Sequence, residues 1–203
     1  MTKTADTRDI ILNAATERIL HYGYAKTTMS EIAKDCGMSA GNIYRFFASK
    51  IDIAEAMARN FATKVFQEYS AIARDKSRPP LERLKGIFQS ELERTYELFA
   101  EEAKVLEVAR VLADERPEFA QEELAQSRLH IVSVLKDGVE TGEFCGETNL
   151  EDLAEMIQVA MVKFMSPEMI SHCDIEQLRR ELDGVFDLIT YGFCAKRRSQ
   201  VCE

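Results

Sequence analysis

Tryptophan is absent from this 203-residue chain, and proline (4) and glycine (9) are scarce. So few breakers leave long stretches free to be helical, and they speak against the turn-dense pattern of sandwiches and barrels. No apolar run approaches the roughly 18–20 residues that a membrane-spanning helix needs. The opening MTKTADTRD has no apolar signal core, so a cytoplasmic protein is expected. Five cysteines, at 36, 145, 173, 194 and 202, are an odd number with no close pairs. That argues against a disulfide framework and against a CxxC zinc site. His172-Cys173-Asp174 has ligand chemistry, but one turn-like tripeptide does not define a metal site. Three scattered histidines offer no paired nucleophile and base, so neither an enzyme nor a cofactor is expected.

What is present is apolar and periodic. The 46% apolar content fits a globular protein, and 203 residues can bury a sizeable core. Apolar residues recur at helical spacing from end to end, which predicts an all-α fold. A first helix is predicted from about Thr7 to His21, and a long one from Ser49 to about Ile72 with Ile53, Met57, Phe61, Val65 and Tyr69 on one stripe. Asp75 to Pro80 breaks the pattern. Helices are then expected over about 81–101, 104–114, 118–141, from Asn149 towards Pro167, and from Asp174 through Phe193.

Charge is spread unevenly. The net value is −9, yet residues 1–60 hold eight Lys and Arg against seven Asp and Glu, a balance of +1 that leaves −10 for the rest. An acidic body repels a polyanion and turns the less acidic N-terminal part towards it, although acidity also serves plain solubility.

The densest signal is TTMSEIAKDCGMSAGNIYRFFASK, residues 27–50. Thr28 can cap a helix with Glu31 in the capping-box position. Gly37 sits where the chain must turn, a place that favours φ > 0. Ser39 can cap a second helix whose inner face carries Ile43 and Phe46 or Phe47, and Ser49 with Asp52 repeats the pattern for a third. A small residue at a helix crossing (Ala33), a glycine turn and an apolar anchor one short helix later describe a helix-turn-helix. Such a motif places its second helix in the DNA major groove.

From about Ile11 to Ile53 the chain resembles the TetR family of transcriptional regulators. The matching run is Ile11-Leu12, Ala14-Ala15, Gly23-Tyr24, Thr27-Thr28-Met29, Ile32-Ala33, Gly37, Ser39, Gly41, Tyr44, Phe47 and Lys50. It covers about a quarter of the chain. The resemblance implies a helix-turn-helix domain over 1–52 and a larger helical ligand-binding and dimerisation domain over 53–203. It further implies a ligand-responsive regulator, in the main a repressor, that binds an inverted-repeat operator as a homodimer and is released by a small molecule.

The expected reading helix is Ser39 to about Phe47. Asn42 can pair with adenine or reach a phosphate, Ala40 can touch a thymine methyl, and Gly41 allows close approach. Tyr44 and Arg45 can donate to phosphate, and Arg45 also to a guanine edge. Thr27, Thr28 and Lys50 stand at helix starts, where free N–H groups favour phosphate oxygens. Thr28, Ser39 and Ser49 serve equally well as simple caps. Phe46 departs from the family, which often has His or Tyr there, so that contact is lost or moves to Arg45.

Phe88, Tyr96 and Phe99 on one helix, with Met161, Phe164 and Met165 on another, are the candidate lining of a partly apolar effector pocket. Such stripes also build ordinary cores. An acidic lining from Glu91 or Glu107 would suit a cationic ligand. The last two helices resemble the family's four-helix dimer interface, with Leu153, Ile157, Leu182, Phe186 and Ile189 as the expected seam; alternatively these faces pack only within the monomer. Two other functions stay open at this level: a helical interaction module that no longer reads DNA, and an enzyme with a DNA-binding head.

Overall fold

The structure is a computed structural model that describes residues 2–101, 103–146, 149–170 and 173–191, with side-chain surroundings described from Thr7 onward except at 99–101, 103, 167 and 168. Among these residues the chain is helical, without strands. The helices are α1 (Thr2–Tyr22), α2 (Met29–Asp35), α3 (Ala40–Tyr44), α4 (Lys50–Arg74), α5 (Pro80–Glu101), α6 (Ala103–Glu115), α7 (Pro117–Glu140), α8 (Leu150–Ala160), α9 (Pro167–Ile170) and α10 (Ile175–Tyr191). None is long and apolar enough to cross a membrane. Breakers set most of the ends. Gly23 and Gly37 follow α1 and α2 at φ 95° and 63°, values that L side chains avoid. Asn149 caps α8 by accepting from the Glu151 N–H at 3.0 Å.

Three elements differ from expectation. α1 begins at Thr2 rather than Thr7, since Thr2 to Asp6 contains no breaker. The reading helix is shorter than expected and ends at Tyr44. Beyond it Arg45 N–H bonds the Asn42 carbonyl at 3.2 Å and Phe46 N–H bonds the Ile43 carbonyl at 2.9 Å, a tightened final turn. α8 stops at Ala160, and Val162–Met165 continue as a 3₁₀ turn. Ser166 is extended because it precedes Pro167.

The chain forms two compact units. One comprises Met1–Lys64 with Glu102–Glu122, the other Val65–Glu101 with Glu123–Glu203. The first unit has two apolar clusters. Ile11, Leu12 and Ala15 of α1 meet Met29, Ile32 and Ala33 of α2, Ile43 of α3, Phe47 and Ile53. Ile19, Tyr24, Ile51 and Ala54 meet Val108 and Leu112 of α6. That α6 joins the N-terminal helices was not foreseen, because its apolar stripe does not say which neighbour it covers.

In the second unit Leu84, Phe88 and Leu92 of α5 pack with Ile131, Val134 and Leu135 of α7, Ile157 of α8, Phe164, and Leu178, Leu182 and Phe186 of α10. The expected seam therefore needs correction. Ile157, Leu182 and Phe186 are at most 2% exposed within a single chain. Phe186 stacks at a tilt on Phe88, centroids 6.5 Å apart. Leu153 and Ile189 are half-buried against the same core. These side chains are apolar at helical spacing, and the strongest such stripe on a helix is the one its own core takes first. Arg83, also buried, gives Nη1 to the Ala73 carbonyl (2.5 Å) and to Asp137 (2.7 Å), so its charge is paired.

Gly138 of α7 lets the buried Phe144 ring lie against the helix. A Cβ at residue 138 would stand 2.0 Å from Phe144 Cδ2. Gly138→Ala should therefore destabilise the protein by about 1–3 kcal/mol in urea unfolding, although alanine is the better helix former. A variant as stable as the parent would show that Phe144 is free to move away.

Candidate nucleic-acid interface

The α2–α3 pair is built by its caps and one anchor. Thr28, extended at φ −120° and ψ 156°, accepts the Glu31 N–H at 3.3 Å. The Glu31 carboxylate accepts from the Thr28 N–H (2.9 Å) and hydroxyl (2.8 Å), which completes the capping box. The Thr28 hydroxyl and N–H hold Glu31 below the usual carboxylate range, with help from the Arg18 charge. Arg18 of α1 also pairs with Asp35 at 2.5 Å, so both ends of α2 are tied to α1. Ser39 accepts the Asn42 N–H at 3.3 Å and so caps α3. Ile43, fully buried, fixes which face of α3 points inward.

The outward face follows from that anchor. Ser39, Gly41, Tyr44 and Arg45 are exposed, Tyr44 by 53%. Among the described residues neither the Tyr44 nor the Arg45 side chain finds a hydrogen-bond partner, so both keep their side-chain donors. Tyr44 is thus a surface residue and not part of the core. Ala40 and Asn42 are half-buried, and the Asn42 amide reaches only a weak acceptor, Met38 Sδ, at 3.5 Å. Phe46 packs half-buried on the head core, which is why no polar group is needed there.

Thr27 and Lys50 are placed differently from the others. Thr27 is fully buried and donates its hydroxyl to the Gly23 carbonyl at 2.8 Å. Lys50 Nζ donates to the carbonyls of Tyr24 (2.7 Å) and Thr27 (2.8 Å) and lies 4.0 Å from the centre of the Tyr24 ring. Burial pulls the Lys50 ammonium below its usual range, and the charges of Glu107 and Glu115 oppose that shift. Both side chains therefore serve the turn before α2. Thr28 likewise has its hydroxyl hydrogen engaged by Glu31.

Glu107 lies in the first unit, where it accepts the N–H groups of Tyr24 (3.0 Å) and Ala25 (2.8 Å). It does not line an effector pocket. Sequence reasoning missed this role, since nothing at Glu107 signals a partner 82 positions away. Glu91 pairs with Arg94 at 2.5 Å. Phe88, Met161 and Phe164 are buried in the second unit's core, with Tyr96 and Met165 half-buried against it. The Phe99 side chain lies outside the described residues, as do His172, Cys194 and Cys202. An open pocket of about 440 Å³ in this unit is lined instead by residues 76–80, Arg83, Asp137, Glu140 and Thr141.

A capped short helix with one buried anchor and an exposed small-and-polar start, following a glycine turn, is the head of a helix-turn-helix DNA-binding regulator. Residues 11–57 match the bacterial regulatory proteins of the tetR family, and residues 80–186 match the tetracyclin repressor-like C-terminal domain. The chain is 31% identical over 138 residues to the transcriptional repressor KstR2 of Mycobacterium tuberculosis, covering 68% of each protein. Its fold is similar to that of Thermus thermophilus FadR, a TetR-family repressor solved with lauroyl-CoA (TM-score 0.67, 20% identity, 91% of this chain and 94% of that one). It is likewise similar to SmeT, the repressor of a Stenotrophomonas maltophilia multidrug efflux pump, in its triclosan complex (TM-score 0.65, 18% identity, 93% and 92%). The chain belongs to the TetR family of transcriptional regulators.

Gly41 separates fold from reading. It has ordinary φ and open space where a Cβ would stand. Gly41→Ala should stabilise the head or leave it unchanged, by at most about 1 kcal/mol. If Gly41 is there for close approach to a groove, the same variant binds duplex DNA more weakly. A variant that melts no lower and binds no worse would assign Gly41 no part in reading.

Proposed function

We propose that this regulator is a ligand-responsive repressor that binds an inverted-repeat operator as a homodimer and is released by a small, partly apolar molecule. Its expected place of action is the cytoplasm. The observation that carries the DNA-reading part is the exposed face of α3, held outward by the burial of Ile43 on the opposite side. On this reading residues 1–52 carry the reading head, α6 supports it within the first unit, and the remainder of 53–203 senses the effector and dimerises. Asn42 and Ala40 read base edges, Gly41 permits approach, and Ser39, Tyr44 and Arg45 hold the backbone. Thr28 presents the start of α2 to a phosphate, while Thr27 and Lys50 act by shaping the turn before it. KstR2, the relative covering two-thirds of the chain, is a repressor, which favours the same sign of regulation.

The effector would lodge among Phe88, Tyr96, Phe99, Met161, Phe164 and Met165. Because several of these are packed in the core, it must displace side chains to enter, and the flexible methionines are suited to that. FadR and SmeT, solved with lauroyl-CoA and triclosan, carry ligands with an apolar part on a similar fold, which supports an apolar component. A ligand releases DNA only through its differential affinity for two states, so operator DNA must weaken its binding by the same factor.

For the homodimer, the side chains that α8 and α10 leave exposed are the better seam. Met156 (57%) and Val159 (61%) on α8, Val162 (49%) just beyond it, and Leu188 (76%) and Tyr191 (58%) on α10 are large and apolar, and the two helices pack on each other. A twofold axis through such a seam pairs two identical chains, which matches the symmetry of an inverted repeat.

Two measurements test this function. In fluorescence anisotropy with promoter DNA from beside its own gene, Arg45→Ala should lower the slope of log K against log salt by about 1. Asn42→Ala should cost roughly 1–3 kcal/mol of discrimination between that site and random DNA. Absence of any preference in the parent protein would remove the DNA-reading assignment. Separately, Leu188→Glu should sediment as a folded monomer, whereas Phe186→Glu should fail to fold, because it buries an unpaired charge in the core. A dimeric Leu188→Glu protein would place the interface elsewhere.

A further inference from the structure

We infer that Glu107 of α6 is a positioning residue for DNA binding, acting with Lys50 as a clamp on the turn from Gly23 to Thr27. This rests on the DNA-reading function proposed above and adds a residue that touches no DNA. The turn enters α2 directly, and its backbone makes no regular structure. Its polar groups are therefore obliged to find other partners. Backbone carbonyls of Ile19 and Tyr24 take the Gly23 and Thr27 N–H groups, and two side chains of opposite charge take others. Glu107 takes the N–H groups of Tyr24 and Ala25 with separate oxygens, at 3.0 and 2.8 Å. Lys50 gives Nζ to the carbonyls of Tyr24 and Thr27, at 2.7 and 2.8 Å. The buried Thr27 hydroxyl closes the loop on the Gly23 carbonyl. Lys104, one turn before Glu107 on α6, bonds the His21 carbonyl at the end of α1.

The fit is close. A Cβ at residue 23 would stand 2.8 Å from Glu107 Oε2, and Gly23 holds φ 95°. The backbone needs glycine there, and a side chain would also push the Glu107 carboxylate from its present place. Apolar contacts support the polar ones, since Tyr24 and Ile19 pack with Val108 and Leu112 of α6. The position of Thr28, and with it the start of α2, is thus set by α6. A shift of α6 by an ångström or two would break charge-assisted hydrogen bonds and loosen the reading head.

The sign of one substitution separates this role from a passive acidic surface. Removing a carboxylate beside a polyanion site raises DNA affinity by relieving repulsion. Removing a clamp lowers it. Glu107→Ala should bind a duplex selected by the parent protein at least tenfold more weakly at constant salt. The slope against salt should stay unchanged, because no phosphate contact is lost. Glu107→Gln keeps one acceptor oxygen at the same reach and should fall between the two. Hydrogen exchange on the free proteins should show the Tyr24 and Ala25 amides protected in the parent and exposed in Glu107→Ala, with α10 amides unaltered. If Glu107→Ala does not fold, the Glu107→Gln comparison and its exchange pattern carry the decision. Affinity at or above the parent's in both variants would overturn the inference, as would parental protection of both amides. A parent protein that selects no duplex would instead overturn the DNA-reading function, and the exchange data would still judge the clamp.

Discussion

A helix of five residues cannot hold itself together in water. Nucleating one turn costs more than a few hydrogen bonds return, so α3 exists only because its surroundings impose it. That constraint organises the whole first unit. Ile43 contributes the anchor, Ser39 closes the first turn, and the tightened hydrogen bonds after Tyr44 let Phe47 return to the same core. Burying an isoleucine is worth a few kcal/mol, and truncating it to alanine typically costs about 2–5 kcal/mol. A margin of that size, spread over a three-helix head, leaves little tolerance for a loose entry into α2. Here α1, α4 and α6 each send a charged side chain to that region: Arg18, Lys50 and Glu107.

These charges matter by geometry more than by energy. Pairs open to solvent, such as Arg18 with Glu31 and Asp35, contribute little to stability and are screened by salt. Half-buried and multiply bonded groups such as Lys50 and Glu107 fix positions because each bonds two backbone atoms of the same short turn. The result is an outward face of α3 on which the Tyr44 and Arg45 side chains keep free donors, the property the proposed reading role requires. The acidic balance of the remaining chain reinforces this division, since the −10 outside residues 1–60 disfavours any other approach of a polyanion.

Much of this could be read from residues alone, wherever the cause was local. Thr28 with Glu31, Ser39, Gly37 and the anchor Ile43 act over three to five positions, and the structure has them as expected. What acts across the chain could not be read. Glu107 looked like an ordinary acid on an amphipathic helix, and its hydrogen bonds to Tyr24 and Ala25 depend on where α6 is packed. The dimer seam failed for a related reason. Periodicity marks Leu182 and Phe186 as apolar without saying whether the core or a partner takes them, and here the core does. Leu188 and Tyr191 are apolar side chains that the core leaves exposed, and periodicity alone does not single them out. Lys50 was legible as a cation at a helix start, but its engagement by two carbonyls was not.

Central to the account is that two such heads act together on one duplex. The most direct measurement is selection of bound duplexes from a random pool, followed by sedimentation of the protein on the winning sequence. The account predicts an enriched inverted repeat whose half-sites lie about 34–36 Å apart, one helical turn or a multiple of it, with two chains on each duplex. A single enriched half-site occupied by one chain, or a pool that stays random, would contradict it.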